Sequence, residues 1–187
     1  MIQNQTERLS HLSEVLLDMT GIQSVERSDF ISLAELTDEV CCDLASIADQ
    51  KKVELIQEEG DCTVTGSYLL LYRAVYNLVE NAIKYNHSGG KVTVKISQKK
   101  DLPAAHSKPT DYALVEVTDT GIGISPEFQE KIFDPFFRVD KSRSRAMGGA
   151  GLGLALVNEI ARQHGGQVKV LASSENGSTI ALILPLS

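Results

Sequence analysis

Apolar residues near the start of the chain fall at Ile2, Leu9, Leu12, Leu16 and Met19, with spacings of 7, 3, 4 and 3. That 3–4 alternation belongs to a helix burying one stripe against a bundle partner. Gln3, Asn4, Glu7, Arg8 and Glu14 fill polar positions between, and Gly21 is a stop signal. A helix of 1–20 is too short to be stable alone, so the stripe needs a partner, which a dimer supplies most simply. Polar 24–28 reads as a linker. Beyond it, Phe30–Leu33 suits a short strand, and Leu36, Val40, Leu44 and Ile47 trace a helix to about Lys51.

Two further strands are expected at Val53–Ile56 and Cys62–Val64, either side of a turn at Glu58–Asp61. A strongly apolar helix follows from about Ser67 to Tyr85, ended by Asn86-His87-Ser88-Gly89-Gly90. Val92, Val94 and Ile96 then alternate with Lys91, Thr93, Lys95 and Ser97, the period of a half-buried strand. Residues 102–111 carry two prolines and read as a loop before a valine-rich strand at Tyr112–Thr118. Ser125-Pro126 predicts a short helical turn with Ser as its cap. A helix at Gly151–His164 stops at Gly165-Gly166, and strands at Gln167–Leu171 and Ser178–Leu184 close the chain.

Strands and helices do not alternate strictly. The expected fold is therefore α+β, a two-layer α/β sandwich. Its mixed, mostly antiparallel sheet would be covered by helices on one face, with an N-terminal bundle helix.

The length of 187 residues, with 42% hydrophobic and 23% charged residues, suits one ordinary soluble domain plus a short appendage. No apolar run approaches the ~20 residues of a membrane helix, and no leader suggests secretion. A net charge of -7 argues against a broad nucleic-acid footprint. One local exception is the stretch with Arg138, Lys141, Arg143 and Arg145 against Asp140 alone, either a solvated loop or the edge of a pocket for a small polyanion. Cys41, Cys42 and Cys62 lack C-x-x-C spacing, so neither a disulfide framework nor a zinc site is indicated, which favours a reducing setting.

Four motifs carry candidate chemistry. In Asn77-Leu-Val-Glu80-Asn81-Ala-Ile-Lys84-Tyr85, helical spacing puts Asn77, Asn81, Lys84 and Tyr85 on one face, opposite Leu78, Val79, Ala82 and Ile83. Asparagine is a poor helix former. A carboxamide oxygen can, however, ligate Mg²⁺ while phosphate oxygens complete the shell, and a lysine offsets phosphate charge. The plainer alternative is a polar helix face in water.

The second motif, Asp119-Thr-Gly121-Ile-Gly123, follows a buried strand. Its glycines permit close approach to a ligand, and its carboxylate can accept a hydrogen bond from an exocyclic amine. By itself it also fits an ordinary turn, and it lacks the further ligands of an EF-hand. The third, Phe133-Asp134-Pro135-Phe136-Phe137-Arg138, lies where four of the five phenylalanines fall between Phe128 and Phe137. It suits a hinge anchoring a mobile loop, or simply core. The fourth, Gly148-Gly149-Ala150-Gly151-Leu152-Gly153-Leu154, opens a helix, where free backbone N–H groups bind phosphate. A dinucleotide loop fails here, since no strand precedes and Leu156 occupies the third small position. A Walker A loop fails for want of Gly-Lys-Ser/Thr.

Taken in order, these segments resemble the ATPase domain shared by histidine kinases, type II topoisomerase subunits, the ninety-kilodalton heat-shock chaperone and mismatch-repair ATPases. Asn77–Asn86, Asp119–Gly123, Phe133–Phe136, Gly149–Leu154 and Gly177-Ser178-Thr179 are similar to that family's N, first Gly, F, second Gly and final Gly boxes. The Phe-Asp-Pro-Phe and Gly-Leu-Gly-Leu segments resemble histidine kinases in particular. Residues 6–22 look like the second helix of their dimerisation and phosphoacceptor hairpin. The resemblance thus divides the chain into a hairpin remnant at 1–23 and an ATP-binding catalytic domain at 24–187.

It implies a protein histidine kinase of a two-component system that moves the γ-phosphoryl group of ATP to a histidine for relay to a response regulator. Asp119 would select adenine, Asn81 would hold Mg²⁺ with Asn77 beside it, and Glu80 would polarise the acceptor imidazole. Lys84, Tyr85 and the amides of Gly149, Gly151 and Gly153 would hold phosphates, with Gly121, Gly123, Arg138, Leu152 and Thr179 completing the nucleotide site. A lid at about 137–150 would close over it.

Ala150 stands where this family often has Ser or Thr. No acceptor segment of the Ser-His-Glu-Leu-Arg type occurs in the chain. His11 lies among seam leucines, His87 in a turn, His106 in a loop, and His164 at a helix end whose dipole favours a cation. The expectation is a catalytic fragment that needs its acceptor domain in trans, from a homodimeric, cytoplasm-facing parent anchored in the membrane upstream of Met1. Direct contact with nucleic acid or membrane is not expected of it. The alternatives are a serine kinase of the anti-sigma type, which would not need the leading helix, and a nucleotide-binding module without catalysis.

Overall fold

The computed structural model describes residues 22–99, 111–139 and 151–186. The expected bundle helix, the cations at 141–145, Gly149, Ala150, His11 and His106 lie outside the described residues.

The chain enters through a 3₁₀ turn, Ile22–Ser24, whose Ile22 is buried. Strand β1 (Asp29–Ser32) then leads into helix α1 (Leu33–Lys51). Ser32 caps α1 by accepting the Glu35 N–H, and Leu33, Leu36, Val40, Leu44 and Ala48 form its buried stripe. Strands β2 (Glu54–Gln57) and β3 (Thr63–Gly66) follow, each displaced by one or two residues from the positions expected. Helix α2 (Tyr68–Lys84) buries Leu70, Leu71, Ala74, Val75, Leu78, Val79, Ala82 and Ile83. Strands β4 (Lys91–Lys99) and β5 (Tyr112–Asp119), helix α3 (Gly153–Gln163), and strands β6 (Gln167–Ser174) and β7 (Gly177–Pro185) complete the order.

The main sheet has the order β2-β4-β5-β7-β6, while β1 and β3 pair separately. Only β2 and β4 run parallel, and β4-β5, β5-β7 and β7-β6 are antiparallel. This is the mixed, mostly antiparallel sheet expected. Helices α1, α2 and α3 and one face of the sheet enclose a continuous core that includes Leu36, Leu44, Leu71, Val75, Val94, Val115, Val157 and Leu182. The other face is not bare, because Leu114, Ala181 and Ile183 form a smaller buried cluster against Tyr112. Central strands apolar on both faces read as near-continuous hydrophobic runs, as 112–117 and 180–184 do.

Three local expectations are corrected. Helix α3 starts at Gly153 rather than Gly151, because Gly151 has φ +74 and so lies outside any right-handed helix. The turn after Ser125 is a 3₁₀ helix at Pro126–Phe128 without a side-chain cap from Ser125, and a second follows at Lys131–Phe133. His164 is not poised as a cation. Its Nε2 accepts the Ser67 N–H at 3.1 Å, and Nδ1 lies 2.8 Å from the Ile160 carbonyl, so the ring is neutral with its proton on Nδ1. Burial lowers its pKa, only partly offset by the Ile160 carbonyl.

Candidate nucleotide site

Helix α2 places Asn77, Glu80, Asn81 and Lys84 on its partly exposed side because the apolar residues between them are drawn into the core. Asn77 is fixed by donating from Nδ2 to the Arg73 carbonyl, one turn back, at 2.8 Å. The side chains of Asn81 and Glu80 form no hydrogen bond among the described residues, although Glu80 acts electrostatically on Lys84, so both carry unused hydrogen-bonding capacity at the site.

The start of α3 meets this face directly. A methyl group on Gly153 would stand 2.6 Å from Asn77 Oδ1 and 3.8 Å from Asn81 Nδ2. Glycine is therefore required for the α3 N-terminus, with its free backbone donors, to lie against both asparagines. Two motifs separated by more than seventy residues thus share one wall. Leu152 itself is a buried core side chain, so only its backbone could serve a ligand.

The end of α2 meets the loop after β5. The Ile122 N–H donates to the Tyr85 carbonyl at 3.3 Å, and a methyl group on Gly121 would come within 2.5 Å of the same oxygen. Asp119 Oδ1 accepts the Gly121 N–H at 2.7 Å. Burial raises the Asp119 pKa, and hydrogen bonds from the Gly121 and Ser178 backbones oppose the shift. A half-buried carboxylate held in place by its own loop is well suited to accept a hydrogen bond from a ligand amine. Gly123, at φ +69, lets the loop turn against the Ser174 carbonyl, where a methyl group would stand 1.7 Å away. Thr179 lies opposite Thr118 on β7, the two Oγ1 atoms 3.0 Å apart, and its neighbour Ser178 is the residue opposite Asp119.

The cationic side is made by Lys84 and Arg138. The Lys84 ammonium lies 5.8 Å from the centre of the Tyr85 ring. Burial lowers its pKa first, Glu80 opposes that, and Arg138 adds repulsion. Arg138 Nε and Nη2 are buried and have no hydrogen-bond partner among the described residues. A buried guanidinium beside a second cation fits an anion as its missing partner.

The base of the expected lid is closed on itself, since the Phe136 N–H donates to the Gly151 carbonyl at 2.8 Å. Phe128 and Phe137 pack with ring centres 5.7 Å apart, and Phe133 packs on the core. The phenylalanine cluster is therefore an anchor for both stems of segment 137–150, of which 140–150 lies outside the described residues. Phe136 itself is 57% exposed and adopts φ +64, a rare conformation for a non-glycine residue.

No group of three or more His, Cys, Asp or Glu side chains suitable for a metal occurs among the described residues. The free Asn81 carboxamide suits a cation that brings most of its ligands with a phosphate, as Mg²⁺ does.

Of three supporting residues, Ser173 carried no sequence signal, while Asn86 and Gly177 fell within the N and final Gly boxes without a role of their own. Asn86 is buried, and its Nδ2 donates to the Lys91 carbonyl at 2.9 Å. Its Oδ1 accepts from the His87 N–H at 3.0 Å and from Thr120 Oγ1 at 3.3 Å. Ser173 Oγ accepts the Ile124 N–H at 2.7 Å, tying the Asp119 loop to β6. Gly177, at φ +126, brings its Cα so close that a methyl group would stand 1.9 Å from the Asp119 carbonyl.

Residues 66–187 match the family described as histidine kinase-, DNA gyrase B-, and HSP90-like ATPase. The sensor-like histidine kinase SenX3 of Mycobacterium bovis is 35% identical over 185 residues, covering 97% of this chain and 43% of that protein. The sensor histidine kinase WalK of Bacillus subtilis is 31% identical over 188 residues, covering 98% of this chain and 29% of that protein. This chain therefore spans less than half the length of these relatives. Among solved structures, the mycobacterial sensor histidine kinase MprB superposes with a TM-score of 0.66 at 28% identity, covering 84% of this chain and 97% of that one. No helix among the described residues is long and apolar enough to cross a membrane.

Proposed function

The chain belongs to the family of histidine kinase-, DNA gyrase B- and HSP90-like ATPases, and from that premise we propose that it is the ATP-binding catalytic domain of a sensor histidine kinase. The observation that carries this reading is the meeting of Asn77 and Asn81 with the glycine start of α3, while Asp119 terminates the neighbouring strand. Asp119 accepts the adenine amine, and the backbone donors around Gly151 and Gly153 take phosphate oxygens. Lys84 and Arg138 offset phosphate charge, and Arg138 gains the partner its buried guanidinium otherwise lacks.

Asn81 is the Mg²⁺ ligand of this reading, and the ion supplies charge neutralisation across the phosphates when bound. The reaction breaks the bond between the γ-phosphorus and its bridging oxygen, releasing ADP, as a bond to an imidazole nitrogen forms. Glu80, partly exposed and one residue before Asn81, orients that imidazole by accepting its other N–H. Such transfer depends chiefly on alignment and charge stabilisation. The acceptor is a histidine on a dimerisation hairpin, whose second helix residues 6–22 resemble in sequence. A response regulator receives the phosphoryl group afterwards, and the parent is a homodimer whose catalytic part faces the cytoplasm.

The test is labelled ATP supplied with the cognate acceptor hairpin in trans. Phosphohistidine should form slowly on the hairpin, because two separately added chains lack the roughly millimolar effective concentration of a tether. It should not form on this chain incubated alone. Asn81→Ala should abolish transfer, whereas Glu80→Gln should slow it and largely spare ATP binding. Equal affinity for GTP and ATP would contradict the role given to Asp119, and stable phosphorylation of the isolated chain on one of its histidines would contradict the reading of the acceptor.

A further inference from the structure

The C-terminal end of α2 faces a difficulty that the nucleotide reading exposes. Lys84 and Tyr85 stand at the carboxyl end of that helix, where unpaired carbonyls concentrate a partial negative charge of about half a unit. A polyphosphate brought to this end would be repelled by it. The structure places a counter-charge there from another element. Lys51, the last residue of α1, crosses to donate from Nζ to the Ile83 carbonyl at 2.8 Å and also to the Lys84 carbonyl. The turn at Tyr85 and Asn86 provides N–H donors only to the Asn81 and Ile83 carbonyls. The Lys84 carbonyl therefore depends on Lys51.

We propose that Lys51 is a positioning residue for the phosphate end of the nucleotide site. Its ammonium holds the last turn of α2, which carries Lys84 and Tyr85, and offsets the negative end of that helix. The inference rests on the nucleotide reading above. Lys51, Lys84 and Arg138 are cations that act on one another in pairs, Lys84 disfavouring the charge on Lys51 and Arg138 that on Lys84. Glu80 favours the charge on Lys84. Burial is the larger cause disfavouring the charge on both lysines, and the neighbouring cations add to it. An arrangement that concentrates positive charge in this way suits a bound polyanion better than an empty surface.

The experiment compares ATP with adenosine, which keeps the base and lacks phosphates, by calorimetry on the full 187-residue chain carrying Lys51→Met or Lys51→Arg. Lys51→Met should weaken ATP roughly three- to tenfold and leave adenosine unchanged, while Lys51→Arg should restore ATP to within about twofold of the wild type. Lys51→Gln removes the charge with less apolar bulk and serves the same comparison if Met disturbs folding. Unchanged ATP affinity in Lys51→Met would overturn the proposal, and so would equal losses of ATP and adenosine, which mark a purely structural role. Failure of the wild-type chain to bind either ligand would instead overturn the nucleotide reading itself.

Discussion

Gly153, the first residue of α3, lies so close to Asn77 that a methyl group on it would stand 2.6 Å from the Asn77 Oδ1. Asn77 cannot swing aside freely, because its Nδ2 is committed to the Arg73 carbonyl. Gly153→Ala should therefore push the α3 start away from α2 at the place where both motifs face the ligand. Alanine favours helix by up to about 1 kcal/mol while overpacking costs about 1–3 kcal/mol, so the melting temperature should fall only modestly. Nucleotide affinity should fall by at least roughly tenfold, since the loss concerns the alignment of the donors. Calorimetry beside a thermal melt checks both, and unaltered affinity would contradict this account of the shared wall.

Asp119 predicts a pH signature of a site tuned for binding. Burial raises its pKa above 3.8 in the folded chain, so the folded state holds this proton more tightly than the unfolded one. The ionised carboxylate therefore works against folding at neutral pH, a cost removed as pH falls through the raised folded value towards 3.8. The stability of Asp119→Asn relative to wild type should accordingly be most favourable near pH 7 and should decline on acidification. Denaturant titrations at several pH values measure this difference. ATP binding should be lost in the variant at every pH.

His164 carries the complementary sign. Its pKa is lowered below 6.5, and its neutral ring accepts the Ser67 N–H at the start of α2. The contribution is complete above pH 6.5 and is lost as pH falls from there through the depressed folded value. The advantage of wild type over His164→Asn should thus be full at pH 7.5 and smaller at pH 5. An advantage that grew on acidification would mean that the ring is a cation in the folded state.

Asn86 should matter more than its place in a turn implies. Asn86→Ala removes one buried donor and one buried acceptor, leaving the Lys91 carbonyl and the His87 N–H without these partners. The expected loss is about 1–3 kcal/mol, measured as a shift in the urea midpoint. Because Thr120 also bonds to Asn86, ATP affinity should fall together with stability.

The reach of the sequence differed between these residues for physical reasons. Periodicity located α1, α2 and the central strands because burying one face forces a repeat of 3.6 or 2 residues on the chain, as at Leu36/Val40/Leu44 and Val92/Val94/Ile96. Glycines and asparagines at Asn77, Asn81, Asp119, Gly121 and Gly153 were legible because a helix or strand has no local use for them there. The strand edges at β2 and β3 slipped by a residue or two, since short strands at a sheet margin carry little pattern. The start of α3 was misplaced because the left-handed backbone of Gly151 is imposed by Phe136 and Phe137 across the loop. Lys51 and Ser173 were silent, and Asn86 showed only as part of a helix-ending segment and a box, for the same kind of reason. Each is an ordinary polar residue locally, and its partner lies on another element. Lys51 is given its role only when packing brings the carbonyls of Ile83 and Lys84, more than thirty residues away, within reach of its ammonium. Apolar patterning is a property of neighbouring residues and is written in the chain itself. The pairing of a charge with a distant helix end exists only after the hydrophobic core has fixed α1 against α2.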